Sequence, residues 1–513
     1  MDARRVARLG PKSQWGVADE AIKDRCICRY RVRNMDLLLC NLCASIRVVL
    51  PRASRPQRQL YRALTHLGYG TTSTPRRGFS CARTGSRLCA ATLLARARIS
   101  FGNAATEDNV VYALNAVSGR EVWRHVLGKP IPRGSLSCGN INPLGVTGTP
   151  VIDPSAEAIY LASAVQNEAG PRHLVFALSL KDGAPIDGWP IDVADALARQ
   201  HVDFVSRDQN QRGALTILDG TLYVPFGGHY GDCGQYRGFV VGISVSSPHS
   251  ISSWATRARG GGIWAPGGIA SDGRSLFVST GNTIGTASWS DGEAVIRLAP
   301  DLHHSRDKRD FFTPADWHAL DLRDADLGGT NPLPFDVPAA NQNQKLILAL
   351  GKDGKAYLLD RDNLGGIGGA LATDTVADSA ILGAPVAYPA SDGAFVGFAG
   401  VGTHCPPAAR GSGITVLKIQ SGSPVTMTTE WCGALRGLGS PIVTTIDGRA
   451  SPTVWIVGAE GDNRLHGFRG DTGEPLVAAP TAAMTGLRHF QTLIATPDRL
   501  YVGADGGIYA FAF

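Results

Sequence analysis

Between Gly260 and Arg361 the chain sets down, in order, several side chains that could do chemistry. Trp264 ends the run Gly260-Gly261-Gly262-Ile263-Trp264, and Asn282 ends Ser279-Thr280-Gly281-Asn282. Asp316, Asp324 and Asp326 follow Thr313-Pro314, and Lys352 precedes Asp353-Gly354. An aromatic face, an amide oxygen, a carboxylate and an ammonium could together hold a small molecule and take a proton from it. Each residue also has an ordinary explanation. Asn282 after Gly281 suits a turn, and Lys352 suits a solvated hairpin. The aspartates suit loops or helix caps, and Trp264 suits packing. Three further polar pairs fall just beyond expected strands: His229 with Asp232, Glu460 with Asp462, and Arg488 with His489. The sequence shows no nucleophile-base triad and no phosphate loop.

The elements that must position these groups form a repeat. From about Ile99 a short β-rich run, a turn and an aromatic-Ala-Leu run recur, followed by Gly and often Trp. The first copy is Val111-Tyr112-Ala113-Leu114, then Gly119 and Trp123. Leu114, Leu178, Ile243, Leu298, Leu359, Leu417, Phe468 and Phe511 mark eight copies, 43 to 65 residues apart. Small residues open most units, as in Gly148-Thr149-Pro150, Gly267-Gly268, Gly383-Ala384-Pro385 and Gly439-Ser440-Pro441. A β-rich unit repeating at this spacing predicts an all-β propeller of eight four-stranded blades, each burying its faces on its neighbours. The recurring Trp residues are expected to pack between blades. Closure looks imperfect. The last copy offers three strands, at about Phe490–Ala495, Leu500–Ala504 and Gly507–Phe513, and no innermost strand is evident for the first.

We place the propeller at residues 99–513. Residues 1–98 form an Arg-rich leader that we expect to be poorly ordered, of the composition that translation upstream of a true start produces. Residues 1–100 hold 18 Arg and 2 Lys against 5 acids, +15, so the other 413 residues carry −9 of the total +6. The propeller is thus acidic and no nucleic-acid partner is expected. Removing residues 1–95 is expected to leave the melting temperature nearly unchanged. No apolar run approaches the ~20 residues that span a membrane. The stretch Leu37–Leu50 makes only a weak signal peptide. Cys26, Cys28, Cys40 and Cys43 could be zinc half-sites, but no second pair completes them. Cys138, Cys233, Cys405 and Cys432 lie in Gly/Pro-rich connections, and neighbour pairing suggests Cys138–Cys233 and Cys405–Cys432. Such bonds fit a periplasmic or secreted protein.

The aromatic-Ala-Leu-x-x-x-x-Gly-x-x-x-Trp unit resembles the pyrroloquinoline quinone (PQQ) repeat. That repeat is found in quinoprotein alcohol dehydrogenases and in many non-enzymatic propellers, including the outer-membrane assembly lipoprotein. The resemblance implies roles for the residues above. Trp264 would floor a quinone, Asn282 would ligate calcium, Asp326 or Asp324 would be the catalytic base, and Lys352 would hold the quinone oxygens. PQQ and calcium are the implied cofactors. Two features depart from the enzymes. His229, or Asp232 shortly after it, stands where they place a calcium-ligating Glu, and imidazole is a poor calcium ligand. The enzymes' adjacent cysteine pair is also missing, as is any Cys-x-x-Cys-His haem site. The leading expectation is therefore an extracytoplasmic propeller that binds a small molecule or protein at its funnel, with a degenerate cofactor site. The alternative is a calcium- and PQQ-dependent dehydrogenase of alcohols or sugars.

Overall fold

The computed structural model describes residues 102–513 apart from 340–341, 408, 410, 447, 449, 477–482 and 513, together with the backbone of strands within 27–40 and 88–101. The strands Ile27–Val32 and Met35–Cys40 pair antiparallel within a compact unit of their own, Met1–Ala44. The remaining calls on the leader lie outside the described residues.

The rest of the chain winds through eight sheets in sequence order, each an antiparallel meander. The second blade is representative: Val151–Asp153, Ala158–Asn167, Gly170–Ser179 and Ile191–Asp192. Its second strand is buried from Ala158 to Val165 without alternation, because a middle strand meets a neighbouring blade on both faces. The outer strand Glu121–Val126 of the first blade is exposed at most positions but buries Trp123. The fourth blade adds a fifth, parallel strand, Gly366–Ile367, beside Phe311–Thr313.

Eight apolar clusters join each blade to the next. One of them packs Tyr112 and Leu114 of the first blade on Tyr501 and Ile508 of the last, which closes the ring. The recurring Trp makes the joint specific. Trp123 Nε1 donates to the Leu180 carbonyl of the next blade at 3.2 Å, and Trp431 Nε1 donates to that of Gly470 at 2.8 Å. Each ring lies on a glycine of the following repeat, Gly183 (φ +74°) or Gly473 (φ +70°). There a Cβ would meet the indole at 2.4 or 2.6 Å. The Gly and Trp of the repeat are thus two halves of one contact made across a blade border.

The last sheet has three strands, as expected: Leu493–Thr496, Arg499–Ala504 and Gly507–Ala512. The first has four, because Leu88–Arg96 pairs with Ile99–Thr106. This inner strand lies upstream of the boundary expected at residue 99. Its sequence, LCAATLLAR, is rich in Ala and Leu and carries no alternation to mark it as a strand. The seventh sheet holds three strands, Ile442–Ile446, Ala450–Val457 and Leu465–Arg469, and a Phe468–Pro475 bridge begins a fourth. Both disulfides pair as neighbours do: Cys138–Cys233 with Cα atoms 6.1 Å apart, and Cys405–Cys432 at 5.6 Å. Among the described residues no helix is long and apolar enough to cross a membrane.

Candidate functional site

Three connections of the middle blades bring the sequence-selected residues together. After the fourth blade's outer strand, the short helix Trp317–Arg323 ends at Asp324, which takes the left-handed conformation (φ 51°). The chain then turns through Asp326 into the 3-10 turn Leu327–Gly329. Lys352 sits on the hairpin between Gln344–Leu350 and Lys355–Asp360 of the fifth blade, and its N–H donates to the Asp326 carbonyl at 2.9 Å. Its Nζ bridges Asp326 Oδ2 at 2.5 Å and Asp324 Oδ1 at 2.8 Å. The other Asp326 oxygen accepts from the backbone N–H of Asn282 at 2.8 Å. Gly281 has to be glycine for this approach. A Cβ there would lie 2.9 Å from Asp326 Oδ1 and 3.1 Å from Trp264 Nε1. The Lys352 ammonium stands 5.2 Å from the Trp264 ring centre. Trp264, Asn282, Asp324, Asp326 and Lys352 therefore form one cluster, in which Asn282 acts through its backbone.

Two residues that sequence reasoning missed complete the cluster. Glu293, fully buried, accepts from the Leu327 N–H at 2.6 Å through Oε2. Its Oε1 has no hydrogen-bond partner among the described residues. Burial, and then the charge of Asp326, push the Glu293 carboxyl well above the usual range. Burial likewise pushes Asp326 up, while Lys352 pulls against it. For Lys352 the two aspartates outweigh burial, so its ammonium is held charged. The second residue is Arg212, half-buried, with its guanidinium 5.1 Å from the Trp264 ring centre. Its Nε is buried and unpartnered among the described residues. Burial pulls it down to about 10, with Asp326 opposing, so it keeps its charge at neutral pH. Only one signal could have revealed it: the residue before the small strand start is Arg212 ahead of Gly213-Ala214, where other blades carry an uncharged residue, Thr147, Pro266, Leu382 or Leu438.

Trp264 and Arg212 open onto a cavity of about 410 Å³. Seven blades contribute to its wall, which places it at the ring axis. The small-residue strand starts Thr149, Gly267, Ala384 and Ser440 all line it. Side chains at those positions must be short because the strands converge there. The far wall carries Glu460, Arg488 and His489. His489 Nδ1 lies 2.5 Å from Glu460 Oε2, and Arg488 pairs with Asp505.

The other candidates lie elsewhere. His229 is buried, its Nε2 lies 3.2 Å from the Arg207 carbonyl, and its ring packs beside Gly139 next to Cys138. It is not among the residues lining the cavity. Asp232 accepts from the Tyr236 hydroxyl at 2.6 Å. Asp316 faces Lys355 at 3.2 Å rather than Lys352. Asp462 pairs with His466 at 3.1 Å.

The donor set does not fit calcium. Calcium wants several oxygen ligands, yet among the described residues no three His, Cys, Asp or Glu side chains gather as metal ligands. The imidazole in place of the family's Glu faces a carbonyl, and Asp326 is already engaged by an ammonium and a backbone N–H. The quinone's platform is encumbered as well, since Arg212 and Lys352 both stand over Trp264.

No family model matches the chain, and no curated protein matches it. Solved structures do. The quinohemoprotein alcohol dehydrogenase ADHIIG from Pseudomonas putida HK5 superposes with a TM-score of 0.55 at 15% identity, over 84% of this chain and 72% of that one. The quinohemoprotein alcohol dehydrogenase from Comamonas testosteroni gives 0.53 at 14%, over 85% and 76%. A europium-containing methanol dehydrogenase gives 0.50 at 13%, over 85% of each chain. At such identities the likeness is one of fold: the chain has the eight-bladed propeller of the PQQ dehydrogenases.

Proposed function

We propose that this propeller binds a small anionic ligand in its central cavity, within an extracytoplasmic, oxidising compartment. The observation that carries the reading is Arg212. A guanidinium that lines the cavity, half-buried beside an aromatic face and without a salt bridge among the described residues, is a cation that an anionic ligand would pair with. The carboxylates near it are spent. Asp326 is paired with Lys352, and the glutamates that line the cavity, Glu107 and Glu460, belong to other walls, so no carboxylate is in salt-bridge contact with Arg212 among the described residues. Two disulfides support the compartment. The test is calorimetric titration with hexanoate. Binding to the wild-type protein, weakened at least tenfold by Arg212→Met and by Trp264→Ala, supports the reading. Affinity indifferent to both substitutions overturns it.

A second reading draws on the convergence of Trp264, Asp326 and Lys352, the arrangement that the PQQ-repeat resemblance implies for a dehydrogenase. It is tested by adding PQQ and calcium and following dye reduction over alcohols and sugars. Turnover that Asp326→Asn abolishes would establish it in place of the binding reading.

A further inference from the structure

The far wall of the cavity says more about the ligand. Glu460 holds its backbone at φ 58°, unusual for a residue with a side chain, and its N–H donates to Asn463 Oδ1 at 3.0 Å. Its carboxylate meets His489 Nδ1 at 2.5 Å. A carboxylate only accepts at neutral pH, so the imidazole carries its proton on Nδ1. Nε2 is then the ring nitrogen left to accept a hydrogen bond from a ligand. Arg488, beside His489, is held in place by Asp505, with Glu460 4.0 Å away. Phe490 abuts the His489 ring edge to face, with centres 4.6 Å apart, and fixes its plane. Between this wall and Arg212 the cavity is lined by short polar groups, including Thr147, Thr149, Ser440 and Gln491. Thr147 Oγ1 is buried with no hydrogen-bond partner among the described residues.

One wall thus offers a guanidinium without a salt bridge among the described residues, the opposite wall a ring nitrogen that can accept, and the space between offers hydroxyls and amides. We infer that the ligand is a polyhydroxy carboxylate of sugar-acid size, its carboxylate on Arg212 and a hydroxyl donated to His489 Nε2. This rests on the anion-binding reading above and specifies its ligand. A neutral polyol leaves Arg212 without an anion, and a plain fatty acid leaves His489 Nε2 without a donor. A buried polar group without a partner is the strongest source of discrimination between such analogues.

Three six-carbon probes separate these contributions: gluconate, hexanoate and glucitol, each titrated calorimetrically into the intact protein at neutral pH. Gluconate is expected to bind at least tenfold tighter than either of the others. Arg212→Met should weaken gluconate and hexanoate alike. His489→Phe should remove the advantage of gluconate over hexanoate, with the melting temperature of the variant reporting an intact fold. His489→Gln, whose amide can stand near the Nε2 position, should restore most of that advantage. If hexanoate binds and gluconate binds no tighter, or if His489→Phe leaves the advantage intact, the sugar-acid assignment is overturned and the anion reading stands. If neither carboxylate binds, both are overturned.

Discussion

The two walls of the central cavity use charge in opposite ways. Behind Trp264, Asp326 is 3% exposed in its side chain, and each of its oxygens has a partner, Lys352 on one and the Asn282 N–H on the other. Across the cavity, Glu460 and His489 are 38% and 40% exposed in their side chains and make one direct contact with each other. A buried ion pair gains little over an apolar pair of equal volume, but removing one partner strands the other. An exposed pair contributes little either way. The first wall therefore reads as architecture that holds the third to fifth blades in register. The second, together with Arg212, is the part left free to meet a ligand.

That contrast sets an order of effects. Truncation through residue 98 removes the first blade's inner strand and unpairs Ile99–Thr106, so it should lower the melting temperature more than any substitution below. Truncation through residue 87 should leave it nearly unchanged. The pair of truncations, followed by circular dichroism, tests the expectation that the leader to residue 95 is dispensable. Next, Asp326→Ala should cost about 3 kcal/mol in urea unfolding, because it leaves the half-buried Lys352 with only the exposed Asp324 as a partner and the Asn282 N–H without its acceptor. The double change Asp326→Leu with Lys352→Met should recover most of that loss. Glu460→Ala should cost less than about 1 kcal/mol, as befits an exposed pair. Equal losses at Asp326 and Glu460 would break the comparison.

The smallest effect depends on pH. The Glu293 carboxyl is raised in the folded state above its ordinary 4.5. The folded protein therefore holds that proton more tightly than the unfolded chain does. Its contribution to stability is fully present below 4.5 and is lost as pH rises through the folded-state value. Glu293→Gln removes this dependence. Unfolding titrations should show the variant gaining on the wild type as pH rises from 5 to 8, with the two closest at the acid end. Parallel curves would show that Glu293 does not titrate between these states.

The eight-fold repeat was legible because each copy must present the same Gly and the same Trp to its neighbours, and Trp123 on Gly183 shows that contact directly. The order Trp264, Asn282, Asp326, Lys352 was legible too, but the manner of their meeting was not. Asn282 contributes a backbone N–H, which any residue type supplies, so its identity said nothing about that bond. Glu293 was hidden at the end of the polar loop Ser290-Asp291-Gly292, where a carboxylate is ordinary, and its burial follows from tertiary packing beneath Leu327. Arg212 was hidden because its partner surface, Trp264, lies in the next blade. Leu88–Arg96 escaped notice because strand pairing, rather than composition, makes it a strand.

The central claim is that Arg212 is a ligand's counter-ion and Asp326 is not available to serve as one. Titration of hexanoate into the wild type, Arg212→Met and Asp326→Asn tests it most directly. The account predicts at least a tenfold loss of affinity for Arg212→Met and affinity retained within a few-fold for Asp326→Asn. Retained binding in Arg212→Met, with binding lost in Asp326→Asn, would contradict it.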